Sequence, residues 1–231
     1  MRILFWRLGR QRSLVAPHRG FYVVLTPEYR RAGSLPPSWF IDDLMAHLRR
    51  PYYVGVLSAA ALYGAAHQAP HEFQVVSDRP LRNIRMGQVR IRFIKKVSVA
   101  RSVVEAQKTP TGTMRVSTPE VTALDLVRYP RHAGSLANVL TVLAELAERL
   151  DGRRLVAAAR AEADLAPVQR LGVLLDHLEQ RQLTGPLAEW LARRRPRLTR
   201  LRPDRPAGRA RRDSRWRVLV NERLEPAGAT T

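Results

Sequence analysis

The chain contains no cysteine, so disulfides, thiolate nucleophiles and cysteine–zinc sites are excluded. Lysine is almost absent too. Lys95, Lys96 and Lys108 are the lysines, and arginine supplies the rest of the 40 basic residues. No uninterrupted apolar run approaches the roughly 18 residues a membrane span needs. The arginine-flanked stretch 1–12 lacks a continuous apolar region and a convincing cleavage site, which points to a cytoplasmic protein. Acid is scarce: 20 Asp and Glu leave a formal net charge of +20 over 231 residues. Charge of this size faces a polyanion or an acidic partner, unless the surface is simply inert. Arginine's planar fork suits phosphate and carboxylate alike. With 45% hydrophobic residues the chain can still bury a sizeable core.

The stretch 52–96 organises the rest. Val54, Leu57, Ala61 and Ala65 recur at three- and four-residue spacing, which predicts a helix. Ser58, Ala59, Ala60 and Gly64 keep it thin enough for a sheet to approach. A strand is predicted over 73–77 and stopped by Asp78-Arg79-Pro80; an arginine-bearing turn follows. Over 88–94, Val89, Ile91 and Phe93 alternate with Arg90, Arg92 and Ile94, so one strand face carries two guanidiniums. Further strands are predicted over 97–103 and 113–117. Residues 21–25 also read as a strand, and a strand needs a partner, yet little sequence precedes it. Ser38 is placed to cap a helix over 39–48, with Asp42 and Asp43 early, Arg49 and Arg50 at its end, and Pro51 stopping it. Thr118-Pro119-Glu120 is a helix start (cap, proline, acid) and Val121, Leu124 and Val127 share the face that follows.

After Pro130 the apolar period becomes helical. Leu136, Val139, Leu143, Leu146 and Leu150 mark one helix, broken by Asp151-Gly152. Leu155, Val156 and Ala159 mark a second, and Pro167 opens a third. Gly185-Pro186 is expected to separate the last, 187–192. The predicted class is α/β (α+β): a mixed sheet with packed helices, then a helical layer over 135–192. Residues 193–217 hold twelve arginines against Asp204 and Asp213, half the net charge of the chain. Pro196, Pro203, Pro206 and Gly208 predict a basic loop there, extended or partly disordered. Residues 216–220 alternate again and are expected to return to the sheet as its closing strand; 223–231 is a tail.

No complete catalytic set emerges. The six histidines have no metal-ligand spacing, and Pro70 intervenes between His67 and His71. Asp42-Asp43 sits where helix dipoles favour acids anyway. Glu105 with Lys108 hints at a nuclease, but the preceding strand lacks a matching acidic ligand. Ser58 reads as helix packing rather than a nucleophile. There is no phosphate-binding Gly-rich loop and no serine elbow. The reading is of a non-enzyme without metal or cofactor. Its candidate contacts to nucleic acid or an acidic partner are Arg90, Arg92, Lys95, Lys96, Arg193, Arg194, Arg195 and Arg197. Such contacts to DNA would be to phosphates, which position rather than specify.

Several motifs occur in an order that resembles the AbiEi family of antitoxins. They are Trp39-Phe40-Ile41-Asp42-Asp43-Leu44-Met45, Pro51-Tyr52-Tyr53-Val54-Gly55, Leu57-Ser58-Ala59-Ala60-Ala61-Leu62-Tyr63-Gly64 and Thr118-Pro119-Glu120-Val121-Thr122-Ala123-Leu124-Asp125-Leu126-Val127. Val168-Gln169-Arg170-Leu171-Gly172 and Trp216-Arg217-Val218-Leu219-Val220-Asn221 extend the likeness. The resemblance implies the antitoxin and transcriptional regulator of a type IV toxin–antitoxin pair, opposing a nucleotidyltransferase-like toxin without needing a stable complex with it. It also implies an N-terminal winged helix-turn-helix, of which 1–33 would be the remnant, with 21–25 the last wing strand. The C-terminal antitoxin domain would then span 34–222, including the basic loop 193–217.

Overall fold

The computed structural model describes residues 13–65 and 70–225. The expectations for 1–12, for His67 and for the end of the tail lie outside the described residues. The chain divides into two compact units.

The first unit comprises, among the described residues, 13–54, 70–100 and 104–116. It opens with a hairpin of β1 (Leu14–His18) and β2 (Phe21–Val24), paired antiparallel. The strand expected at 21–25 therefore has a partner, β1, which is only five residues long and contains Pro17. A 3-10 turn, Pro37–Trp39, precedes α1 (Ile41–His47). Phe40, not Ser38, occupies the N-cap and makes no side-chain bond there, so the expected Ser38 cap is corrected. Asp42 and Asp43 do fall in the first turn.

A six-stranded sheet follows, in the order β5-β6-β4-β3-β8-β7. Its members are β3 (Tyr52–Val54), β4 (Phe73–Ser77), β5 (Ile84–Met86), β6 (Val89–Lys95), β7 (Val104–Thr109) and β8 (Gly112–Ser117). The sheet is mixed: β3 runs parallel to β8 and antiparallel to β4, and β4 runs parallel to β6. Tyr52, Tyr53 and Val54 are all buried, so β3 shows no alternation, and the spacing of Val54 fits the following helix instead. The strand expected over 97–103 is not formed. Lys96 N–H bonds the Ser77 carbonyl, a 3-10 turn occupies Val99–Arg101, and Val97 is left 79% exposed.

The second unit is mainly helical. It contains α2 (Val56–Leu62), α3 (Pro119–Arg128), α4 (Leu136–Leu146), α5 (Gly152–Ala161), α6 (Ala166–His177) and α7 (Arg181–Ala192). Helix α3 is its axle, buried from Pro119 to Val127 and packed against α2, α4, α5 and α6. The start expected for it is observed: the Thr118 hydroxyl accepts from Val121 N–H and Pro119 stands in the first turn. Asp151, expected only as a breaker, caps α5 by accepting from the N–H groups of Arg153 and Arg154, both at 2.9 Å. Gly185-Pro186 does not separate two segments; α7 runs through both. Its buried face, from Leu183 and Thr184 through Leu187 to Trp190 and Leu191, outweighs the one backbone bond Pro186 removes.

Residues 216–220 do not close the six-stranded sheet. β11 (Val218–Val220) forms a separate three-stranded sheet between β10 (Arg211–Asp213) and β9 (Thr199–Arg200). The basic stretch is thus folded, which corrects the extended loop expected for it. Trp216 is fully buried. It lies so close to α6 that a Cβ on Gly172 would come within 2.3 Å of its ring. Replacing Gly172 by alanine favours the helix by about 1 kcal/mol of propensity. The clash should outweigh this and leave the protein destabilised by about 1–3 kcal/mol, read by urea unfolding; equal or higher stability would show that the indole is not packed there.

Candidate functional site

The eight cations expected to form a contact surface fall in different surroundings. On β6, Arg90 and Lys95 are exposed, whereas Arg92 is not free. Its Nε and Nη2 both donate to the Glu72 carboxylate, the latter at 2.9 Å. Lys96 is 3% exposed, with its Nζ 5.7 Å from the Tyr53 ring centroid. The row Arg90, Arg92, Lys95, Lys96 therefore does not stand as one exposed face. The strand ends at Lys95 and the chain turns Lys96 inward. The Arg92 hydrogen bond, more than the surrounding charge, holds the Glu72 carboxyl below the usual carboxylate range, with Arg90 and Arg85 adding to the field.

Arg85 falls in the stretch expected as an arginine-bearing turn. It lies on β5 directly opposite Arg90, and both are exposed. Like charges directly opposite across a ladder repel. Next to β5, a cleft of about 870 Å³ is lined by Arg19 and Tyr22 of the hairpin and by Arg82 and Arg85. The arginines gave little signal in the sequence because their positions are distant from one another in the chain.

In the second unit, Arg193, Arg194, Arg195 and Arg197 are all exposed at the end of α7 and just beyond it. Arg194 is the most constrained: its guanidinium lies 3.9 Å from the Trp190 ring centroid and donates to the Trp190 carbonyl. The Arg197 carbonyl is fixed by Gln169 Nε2 at 2.8 Å, and the same amide reaches the Trp216 carbonyl at 2.9 Å. Beyond these, much of the positive charge is spent internally. Arg202 bonds Asp204 and Glu222, Arg200 bonds the Arg205 carbonyl, and Arg215 bonds Asp176. The hydrogen bond from Arg202 holds the Asp204 carboxyl well below its usual range.

Asp176 gathers three donors. It accepts from Trp216 Nε1 at 2.7 Å, from Arg215 Nη1 at 2.9 Å and from the Thr184 hydroxyl at 2.6 Å. Asn221 binds the turn after β9, accepting from Arg202 N–H and donating to the carbonyls of Arg202, Arg205 and Pro206. These are structural duties. On the catalytic side, Tyr52 donates to Asp42 at 2.7 Å; burial first, and that bond second, push its hydroxyl pKa up. Glu105 and Lys108 stand on β7, an exposed sheet edge. Among the described residues no group of three His, Cys, Asp or Glu is placed to hold a metal ion, and no helix is long and apolar enough to cross a membrane.

Three sheets among the described residues, one of them mixed and six-stranded, and a set of packed helices centred on a buried one define the class: a mixed α/β protein with a helical unit. The chain belongs to the AbiEi family, since the model of the AbiEi antitoxin C-terminal domain matches residues 53–177, more than half of it. The match begins in β3 and ends with the last residue of α6. The fold is similar to that in the crystal structure of the RV2827C protein from Mycobacterium tuberculosis, with a TM-score of 0.65 over 94% of this chain and 78% of that one. At 16% identity that likeness concerns the fold alone. No curated protein matches the chain significantly.

The Glu72–Arg92 pair gives a pH-dependent test. Because the folded-state pKa of Glu72 lies below its unfolded value, its contribution is present above the ordinary carboxylate range and is lost as pH falls through the lowered pKa. Glu72→Gln should cost about 1 kcal/mol near neutral pH, a partly exposed bidentate pair being worth no more. The difference should shrink as the pH is taken down in urea titrations. A cost that persists unchanged in acid would show that the carboxylate charge is not the cause.

Proposed function

We propose that the chain is an antitoxin-type regulatory protein of a type IV toxin–antitoxin system, counteracting a nucleotidyltransferase-like toxin and contributing to autoregulation of its operon. The observation that carries this reading is the match of 53–177 to the AbiEi antitoxin C-terminal domain. In this reading residues 34–222 form the antitoxin domain, 1–33 belong to a winged-helix region with the β1–β2 hairpin as its wing, and the protein works in the cytoplasm without catalytic activity, metal or cofactor. The surviving polar clusters support the non-catalytic part: Asp42, Asp176 and Glu120 are each engaged by chain groups that hold the fold. The test is co-expression with a nucleotidyltransferase-like toxin in a strain where that toxin arrests growth. Relief of the arrest is expected; persistent arrest with folded protein present overturns the proposal. Metal-dependent cleavage of DNA or RNA by clean protein, abolished by Glu105→Ala, would overturn its non-enzymatic part.

A second reading, a DNA-associated protein that binds by charge alone, is favoured by the exposed Arg85–Arg90 pair and by exposed Arg193, Arg195 and Arg197. Each phosphate these residues neutralise adds roughly −0.9 to the slope of log affinity against log salt. Arg85→Ala with Arg90→Ala should weaken operator and scrambled duplexes equally and flatten that slope, in anisotropy titrations at three salt concentrations. Loss confined to the operator would instead mean that this edge reads sequence.

A further inference from the structure

Helices α5 and α7 pack side by side and leave a groove of about 390 Å³ between their exposed edges. Helix α5 contributes Arg153, Val156, Ala157 and Arg160 to it, at positions i, i+3, i+4 and i+7 of one face. Helix α7 contributes Glu189, Trp190 and, just past its end, Arg193. The floor is apolar, and the rim carries three arginines against one acid, Glu189. Arg153, Arg160 and Arg193 are all exposed, and α5 carries no acid. Arg194 clamps the indole from its own side, so Trp190 is a fixed wall rather than a mobile one. The Trp190 Nε1 is buried without a hydrogen-bond partner among the described residues.

We propose that this groove is the docking surface for an acidic, amphipathic helix of a partner protein. Seven residues of α-helix rise about 10.5 Å, so Arg153 and Arg160 stand two turns apart. A helix with carboxylates at i and i+7, and apolar side chains at i+3 and i+4 between them, matches both the charges and the floor. Laying an apolar face into such a groove between flanking charges is a recurrent recognition mode. A phosphate backbone fits the surface less well, because it offers nothing to Val156, Ala157 and Trp190. The proposal goes beyond the antitoxin role and stands without it.

The test uses the full chain and a synthetic helical peptide carrying two glutamates seven apart with two leucines between them. Binding is followed by fluorescence anisotropy, with circular dichroism confirming that every variant is folded. The native protein should bind. Arg153→Glu with Arg160→Glu should weaken binding about tenfold or more, rim charges acting on encounter and register. That variant should in turn prefer a peptide with lysines in place of the glutamates. A serine-for-leucine peptide should bind much more weakly than the leucine one. Equal binding of the serine peptide would reduce the site to charge attraction and overturn the proposal. So would the absence of peptide binding at low salt, or a variant that loses duplex DNA while keeping the peptide.

Discussion

The contact of the Trp216 indole with Gly172, secured by its N–H on Asp176, holds the C-terminal part of the chain in place. Residues 193–217 carry half the net charge of the molecule and, taken alone, would repel themselves into an open coil. What opposes that repulsion is local and specific. A buried tryptophan is worth several kcal/mol on truncation, and Asp176 meets Arg215 at the same point. Gln169, two turns away on α6 in sequence terms at most, ties the carbonyls of Arg197, Trp216 and Arg217 to the helix. Leu201 and Val218 add buried apolar anchors. Fixed acids, Asp204 and Glu222, then neutralise Arg202. The segment folds because a few strong contacts outweigh a diffuse repulsion.

This contact also gives two sequence motifs a physical meaning. Val168-Gln169-Arg170-Leu171-Gly172 and Trp216-Arg217-Val218-Leu219-Val220-Asn221 lie far apart in the chain, and in the fold they are the two halves of one joint. Gly172 has no side chain because the indole occupies that space, and Gln169 reads the backbone on either side of it. Nothing local in either motif points to the other, so their contact is invisible in the sequence.

The same limit explains which parts of the fold were legible. Helix starts with chemical signatures were readable: Thr118-Pro119-Glu120 is a cap in the structure as in the sequence. Elements decided by long-range packing were not. Tyr52–Val54 is a central strand with both faces covered and so without a period. Pro186 lies inside a helix because a buried face carries the helix past it. Among the candidate contacts, composition gave the sign of the charge correctly but not its availability. Arg92 is held by Glu72 and Lys96 is buried, whereas Arg85, which no pattern singled out, stands exposed opposite Arg90. An ion pair joining Glu72 to a residue twenty positions away leaves no trace in local spacing.

The division of positive charge into a structural share and a free share therefore rests on the basic segment being folded. Hydrogen–deuterium exchange of the intact chain measures this directly. The amides of Thr199 and Leu201, which donate to the Arg217 and Leu219 carbonyls, should exchange slowly and together with those of α6. Exchange of both at the rate of an unstructured peptide, with α6 still protected, would contradict the account.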